Sequence, residues 1–187
     1  MQLTQPTLFL TCLKLLGFKH RKCFFFRCCE KLSNYLQKVS GHIGKLNRPS
    51  WTDYFISMAK LASTRSADAE TQHGCVIVDK HNRVIGVGYN GFPTNMPDDS
   101  LPNMRPHKYK WMVHAERNAL ANCIIRPENC TAYITGPPCL DCAKALYQEG
   151  VKHFVCVNGH GTHLMDEDDL CVFEILVQAG DIKIDLV

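Results

Sequence analysis

The stretch that decides the fold reads VHAERNALANC and runs from Val113 to Cys123. Its central residues are good helix formers, so it predicts a short helix that begins near His114. Glu116 follows that histidine by two residues, within the first helical turn. The pair alone is weak support for a site, because a histidine at a helix start is more often a hydrogen-bonded structural residue than a ligand. Its meaning depends on which residues elsewhere in the chain meet His114.

The stretch PPCLDCAKAL, residues 137–146, supplies candidate partners for His114. Cys139 and Cys142 are three residues apart, so their sulfurs lie on one face at a helix start. A helix N-terminus favours the thiolate form, and thiolate is the form that binds metal. Three protein ligands of the imidazole and thiolate type are typical of a catalytic zinc, which keeps one position open for water. The sequence therefore predicts a zinc site formed by His114, Cys139 and Cys142.

Glu116 is expected to carry protons at this site. It does not share the face of His114, but from the first helical turn its carboxylate reaches the open coordination position from the side. A carboxylate there can take a proton from water and pass it to a leaving group. The pairing of H-x-E with a later P-C-x-x-C is a signature of zinc-dependent nucleobase deaminases. The alternative is a non-catalytic, zinc-stabilised interaction module, which would have no need of Glu116.

The residues around these motifs predict alternating strands and helices. Ser50 and Asp53 indicate a helix N-terminus, and apolar spacing continues that helix to about Ser63. The runs GCVIVD and RVIGVGYN predict a β-hairpin, and residues 91–111 predict a long loop. Strands over TAYIT, KHFVCV and DIKIDLV alternate with a helix that ends at Gly150 as its C-cap and a helix over DEDDLCVFEILVQAG. This alternation predicts a three-layer α/β domain.

Residues 1–47 differ from the rest of the chain in charge. They hold eight Lys/Arg and one acid, whereas the remaining residues hold 13 Lys/Arg and 17 Asp/Glu. The segment is predicted to be a basic, poorly ordered extension, with a mitochondrial presequence or membrane-surface association as the functional alternatives. The mildly acidic remainder, residues 48–187, argues against a nucleic-acid polymer as partner, since such binding needs a basic footprint.

The amino-acid composition indicates the cellular compartment of the protein. Eleven cysteines, an odd number without the spacing of a disulfide framework, indicate free thiols in a reducing compartment. No stretch of 18 or more uncharged apolar residues occurs, so no membrane span is predicted. We expect a cytoplasmic protein, with a mitochondrial location through residues 1–47 as the alternative.

From Arg48 to Val187 the chain resembles the cytidine deaminase superfamily and, more narrowly, the deoxycytidylate (dCMP) deaminases. The resemblance is carried by the stretches RPSWTDYF, RSADAETQHGCVIVD, GYNGFP, DDSLP, HKYKWMVHAERNAL and PPCLDCAKAL. The last two are widely shared in the superfamily, and the others are typical of its mononucleotide branch. The resemblance implies a three-layer α/β/α domain with a mixed central sheet. It also implies a zinc-dependent hydrolase that converts dCMP to dUMP and ammonia for thymidylate synthesis.

The resemblance also assigns roles to residues. His114, Cys139 and Cys142 would hold Zn²⁺, which activates the water that attacks C4 of the cytosine ring. Glu116 would protonate N3 and then the departing amino group.

The implied substrate contacts are less specific than the zinc ligands. The backbone at Ala115 would lie near the base, and Asn90 would bind the sugar, although Asn-Gly is also a common turn dipeptide. Arg65 and Ser66 would hold the 5′-phosphate, although an arginine at a helix C-terminus is favourable in any case. Lys108 would contact the phosphate or the base, or remain a solvated loop residue.

Several points stay open at this level. Regulation by dCTP and dTTP, a homohexamer and a second zinc are implied only by the resemblance. His160 and His163 could contact substrate, bind that second metal or merely lie in a loop. Other substrates of the same chemistry, a tRNA adenosine or free cytidine and deoxycytidine, remain alternatives.

Overall fold

The computed structural model describes residues 22–42, 47–158 and 165–187. The chain divides into two compact units, Met1–Asn47 and Arg48–Val187. The described part of the first unit is an 18-residue helix, α1 (Lys22–Val39), followed by the 3₁₀ turn Ser40–His42. The sequence analysis assigned no secondary structure to this segment, and its poor order stays a prediction. Within the described residues, no helix combines the length and apolarity that a membrane crossing requires.

The second unit alternates strands and helices as the sequence predicted. Its elements in chain order are α2 (Trp51–Ser63), β1 (Gly74–Val78), β2 (Val84–Tyr89), a 3₁₀ turn (His107–Lys110), α3 (Ala115–Ala121), β3 (Thr131–Ile134), α4 (Leu140–Gln148), β4 (His153–Cys156), α5 (Glu167–Gly180) and β5 (Lys183–Leu186).

The five strands form one mixed sheet in the order β2-β1-β3-β4-β5. β1 pairs antiparallel with both β2 and β3, whereas β3, β4 and β5 are parallel. The antiparallel β1–β2 pair needs only a short turn, and the parallel pairs need the crossover helices α4 and α5. The predicted α/β class with a mixed central sheet is confirmed.

The sheet is covered on both faces because its side chains alternate along β1. Val76 and Val78 pack with Phe55 of α2 on one face. Cys75 and Ile77 point to the other face, where the core includes residues of α3, α4 and α5. The second unit therefore has three layers, with helices α3 and α4 side by side on the same face.

Short-range signals set most element ends. The Ser50 hydroxyl accepts the Asp53 N–H at 3.1 Å and so caps α2. In the β1–β2 turn, Asp79 accepts the backbone N–H groups of His81 and Arg83. The C-cap of α4 is Glu149, one residue before the predicted Gly150, which follows with φ of 100°. Glycine tolerates this left-handed conformation, and so it terminates the helix.

Candidate metal and substrate site

Two helix N-termini bring the three predicted metal ligands together. His114 is the N-cap of α3, Cys139 is the N-cap of α4, and Cys142 lies in the first turn of α4. The Nδ1 atom of His114 is 3.4 Å from the Cys139 sulfur and 3.3 Å from the Cys142 sulfur. All three ligand atoms lie within 4.8 Å of one another.

The spacing of these atoms fits a zinc ion. Tetrahedral zinc, with Zn–N of about 2.0–2.1 Å and Zn–S of about 2.3 Å, separates a ligand nitrogen from a ligand sulfur by about 3.6 Å. The separations in the structure differ from this value by only a few tenths of an ångström. The donor set and its geometry therefore suit a tetrahedral site with one position left for a non-protein ligand.

The thiol chemistry of the site also favours a cation. Hydrogen bonding from Cys142, and then from His114, lowers the pKa of Cys139 to about 4. Hydrogen bonding to Cys139, together with burial, raises the pKa of Cys142. Two adjacent thiolates repel each other, so one holds its proton in the absence of a metal. A dication between the sulfurs removes this repulsion and lets both bind as thiolates.

Glu116 lies beside the ligands in the first turn of α3. Its side chain is buried, and burial raises the pKa of its carboxyl above the usual range. It lines the same pocket as His114, Ala115 and Cys139. A buried carboxyl in a pocket next to a metal site is placed to transfer protons there. The structure thus brings Glu116 and Ala115 to the pocket that two of the candidate ligands also line.

Asn90 lines the pocket, but its side chain already has partners in the protein. Its Oδ1 accepts the His73 N–H at 2.7 Å, and its Nδ2 donates to the Thr71 carbonyl at 2.9 Å and to Asp68 at 3.2 Å. The amide therefore holds the loop between α2 and β1 against the end of β2. Its predicted contact with the sugar remains a prediction.

Lys108 forms a buried ion pair. Its Nζ lies 2.7 and 2.8 Å from the two carboxylate oxygens of Asp68 and 3.3 Å from Glu70. Burial alone would raise the pKa of Asp68, but hydrogen bonds from Lys108 and from two backbone N–H groups lower it on balance. Two acids thus balance the charge of Lys108, which lines the pocket but is not a free cation.

Arg65 and Ser66 lie after α2 and do not line this pocket. Arg65 is exposed, and the buried Ser66 hydroxyl accepts the Asp68 N–H at 3.1 Å. His160 and His163 lie outside the described residues.

Arg105 is a pocket-lining cation that sequence reasoning missed. Its guanidinium donates to the Tyr109 hydroxyl at 2.7 Å and to Thr71 Oγ1 at 2.9 Å, and it contacts Glu70 at 3.4 Å. Its side chain is 44% exposed, in contrast to 3% for Lys108. The guanidinium therefore keeps N–H groups that a ligand can reach. The signal that could have identified it was its place in the loop immediately before the metal-binding helix.

The zinc-dependent nucleobase deaminases are the class of proteins that uses this combination of ligands with a neighbouring glutamate. The model of the family described as the cytidine and deoxycytidylate deaminase zinc-binding region matches residues 49–158. The chain belongs to this family, and zinc is its cofactor.

Individual relatives agree with this assignment. Human deoxycytidylate deaminase is 34% identical over 134 residues, which cover 68% of either protein. A probable deoxycytidylate deaminase of Caenorhabditis elegans is 45% identical over 104 residues, 52% of each chain. The dCMP deaminase of cyanophage S-TIM5, solved in complex with dCMP and dUMP, has the same fold, with a TM-score of 0.56 at 22% identity. That match covers 76% of this chain and all of the phage enzyme.

Proposed function

We propose that the protein hydrolyses the C4–N bond of dCMP and releases dUMP and ammonia. The observation that carries this proposal is the buried Glu116 carboxyl beside a three-ligand zinc site in a pocket that a cation also lines. The names of the relatives support the choice of dCMP among the substrates of this chemistry.

The residues divide the work as follows. His114, Cys139 and Cys142 hold zinc, which when bound makes a water molecule nucleophilic enough to attack C4 of the cytosine ring. Glu116 takes a proton from that water and delivers it to N3. It then takes the second proton of the water from the oxygen now bonded to C4 and passes it to the amino group, which leaves as ammonia while C4 keeps that oxygen as the carbonyl of dUMP. Burial by itself favours the protonated form of this carboxyl, which is the form that donates to N3 and to the amino group. The backbone of Ala115 borders the base.

Arg105 is the group that we assign to the 5′-phosphate. Arg65 is exposed outside the pocket, and Lys108 is engaged by two acids, so neither fits this role as well. Arginine can bind a phosphate through two parallel N–H groups, and the Tyr109 hydroxyl holds this guanidinium in place. Asn90 borders the sugar. Lys108 and Asp68 then join the two loops that form the wall of the pocket.

We also propose the wider organisation that the resemblance implies. Residues 48–187 form the catalytic domain, and residues 1–47 take no part in the chemistry. A homo-oligomer, a hexamer by resemblance, and regulation by dCTP and dTTP belong to this proposal. Besides the two zinc ligands, six cysteines among the described residues are free thiols, which supports a reducing compartment and a cytoplasmic location.

The test is ammonia release from the zinc-loaded protein with dCMP, deoxycytidine, CMP and a tRNA anticodon stem-loop supplied in parallel. We expect a strong preference for dCMP. Equal use of deoxycytidine would remove the phosphate contact from the proposal, and preference for the stem-loop would replace the substrate. The Glu116→Gln variant is the matched control. If it releases ammonia at the wild-type rate, that ammonia does not come from the proposed reaction.

A further inference from the structure

The metal-binding helix α3 packs on one face of the sheet, directly over its terminal strand β2. β2 is the terminal strand in the sheet order, so alternate backbone carbonyls on its outer side have no neighbouring strand to bond. Side chains of α3 take the place of that strand. The Nδ2 atom of Asn118 donates to the Tyr89 carbonyl at 2.8 Å, and that of Asn122 donates to the Val87 carbonyl at 2.9 Å.

The same pattern continues beyond both ends of the helix. The Ile124 N–H donates to the Ile85 carbonyl at 3.0 Å. Before the helix, Val113 and Gly91 exchange two backbone hydrogen bonds of 2.8 and 3.1 Å. Alternate positions from residue 85 to residue 91 are therefore bonded to the segment that contains α3.

This match depends on the two periodicities. Four helical residues rise about 6 Å, and two strand residues rise about 6.8 Å. Asparagines four apart on a helix can therefore meet carbonyls two apart on a strand. Glycines alternate with those positions in β2, and a Cβ at Gly86 or Gly88 would collide with the α3 backbone at Ala119. The two glycines allow the close approach that a short asparagine side chain requires.

Asn118 connects this edge directly to the metal site. Its backbone N–H donates to the His114 carbonyl at 3.1 Å while its side chain bonds Tyr89. We infer that Asn118 is a positioning residue: it fixes the start of α3 on β2, so that His114 and Glu116 meet the cysteines of α4 in register. Asn122 makes the same kind of bond one turn further from the ligands, and its loss leaves the start of the helix held. This inference rests on the proposed zinc site and catalytic role.

The test compares Asn118→Asp with Asn122→Asp in the full-length protein. Each change keeps the side-chain size, removes the N–H donor and places a carboxylate oxygen against a carbonyl. The readouts are zinc affinity by chelator competition, the visible absorption of the cobalt(II)-substituted protein, and kcat and KM for dCMP. For Asn118→Asp we expect about tenfold or greater loss in zinc affinity and kcat, a changed cobalt spectrum and a KM within about twofold of wild type. For Asn122→Asp we expect every readout to stay within about twofold of wild type.

Two results would overturn the inference. One is a folded Asn118→Asp protein with wild-type zinc affinity and cobalt spectrum. The other is equal losses in both variants, which would mean that the bonds only stabilise the fold. If Asn118→Asp does not fold, Asn118→Ala, which removes the donor without adding charge, is judged by the same two criteria. Zinc affinity and the cobalt spectrum do not need turnover, so failure of this inference is distinguishable from failure of the proposed reaction.

Discussion

The pocket has a metal end, at the ligands His114 and Cys139, and a loop wall, which includes Asp68, Arg105 and Lys108. These two regions use ionisable side chains in different ways. At the metal end, His114, Cys139 and Cys142 converge on one point from helix N-termini, and no cationic side chain is among the three. In the loop wall, Lys108 and Asp68 are 40 residues apart in sequence and neutralise each other, both almost fully buried. The metal end is organised to receive a cation, whereas the interior of the wall is already balanced.

This difference shows why residue types in the sequence pointed to the metal end but not to the role of the loop wall. A cysteine pair at helical spacing has few roles in a reducing compartment, so its pattern points to metal. A lysine in a loop has many roles, and its partners decide among them. For Lys108 the sequence left a phosphate or base contact and a solvated loop position open, and the structure shows that two carboxylates contact it.

Replacing Glu116 should give the largest effect, at the metal end. We expect Glu116→Gln to lower kcat by about 10²–10⁴-fold, because the general acid–base is lost. Zinc content should remain at the wild-type level, since Glu116 is not one of the three ligands. Ammonia release and metal analysis on the same preparation measure both quantities. A variant that loses zinc together with activity would make Glu116 part of the metal site.

Breaking the balanced pair should mainly affect stability. Removing one partner of a buried ion pair costs about 3–5 kcal/mol, so Lys108→Met should lower the free energy of unfolding by about that amount. The double variant Asp68→Asn, Lys108→Met should lose less than the sum of the single variants, because no buried charge is left alone. Urea unfolding of the four proteins measures this coupling. Unchanged stability with weaker dCMP binding would instead make Lys108 a substrate ligand.

Replacing the exposed cation of the wall should change specificity. Arg105→Gln should lower kcat/KM for dCMP by about 10–100-fold, because a charge-assisted hydrogen bond contributes about 1.5–3 kcal/mol. The kcat/KM for deoxycytidine should change little, since that substrate has no phosphate. Arg65→Gln is the matched control and should leave both values close to wild type. If Arg65→Gln lowered kcat/KM for dCMP and Arg105→Gln did not, Arg65 would be the phosphate ligand instead.

The turn between β1 and β2 holds a local counterpart to the buried pair, in which the arginine is exposed. Asp79 contacts Arg83, four residues later, and these contacts lower the pKa of Asp79 to about 2. The unfolded carboxyl titrates near pH ~3.9, so the stability due to this shift is present above about pH 4 and is lost as pH falls toward 2. Asp79→Asn should slightly flatten the acid limb of a stability–pH curve. An unchanged acid limb would mean that the contact contributes nothing measurable.

Much of the fold was predictable because its signals are local. The Ser50 cap, the turn at Asp79 and the alternation of strands with helices are properties of neighbouring residues, and the structure follows them. The helix α1 was not predicted, because the interpretation of residues 1–47 was based mainly on their charge. The predicted C-cap of α4 was one residue too late in the chain. Glu149 still has right-handed helical backbone angles, and the left-handed conformation that ends the helix comes at Gly150.

By itself the sequence determined the donor set and the chemistry: one imidazole, two thiols at helical spacing and a glutamate in the turn that follows the histidine. Only the tertiary structure decided which cations are neutralised, which line the pocket and how α3 is held on β2. The physical reason is that the type of a ligand and its spacing along a helix involve residues only three or four positions apart. The environment of a charge, and the match between a helix and an edge strand, depend on residues tens of positions apart, and only packing brings them together.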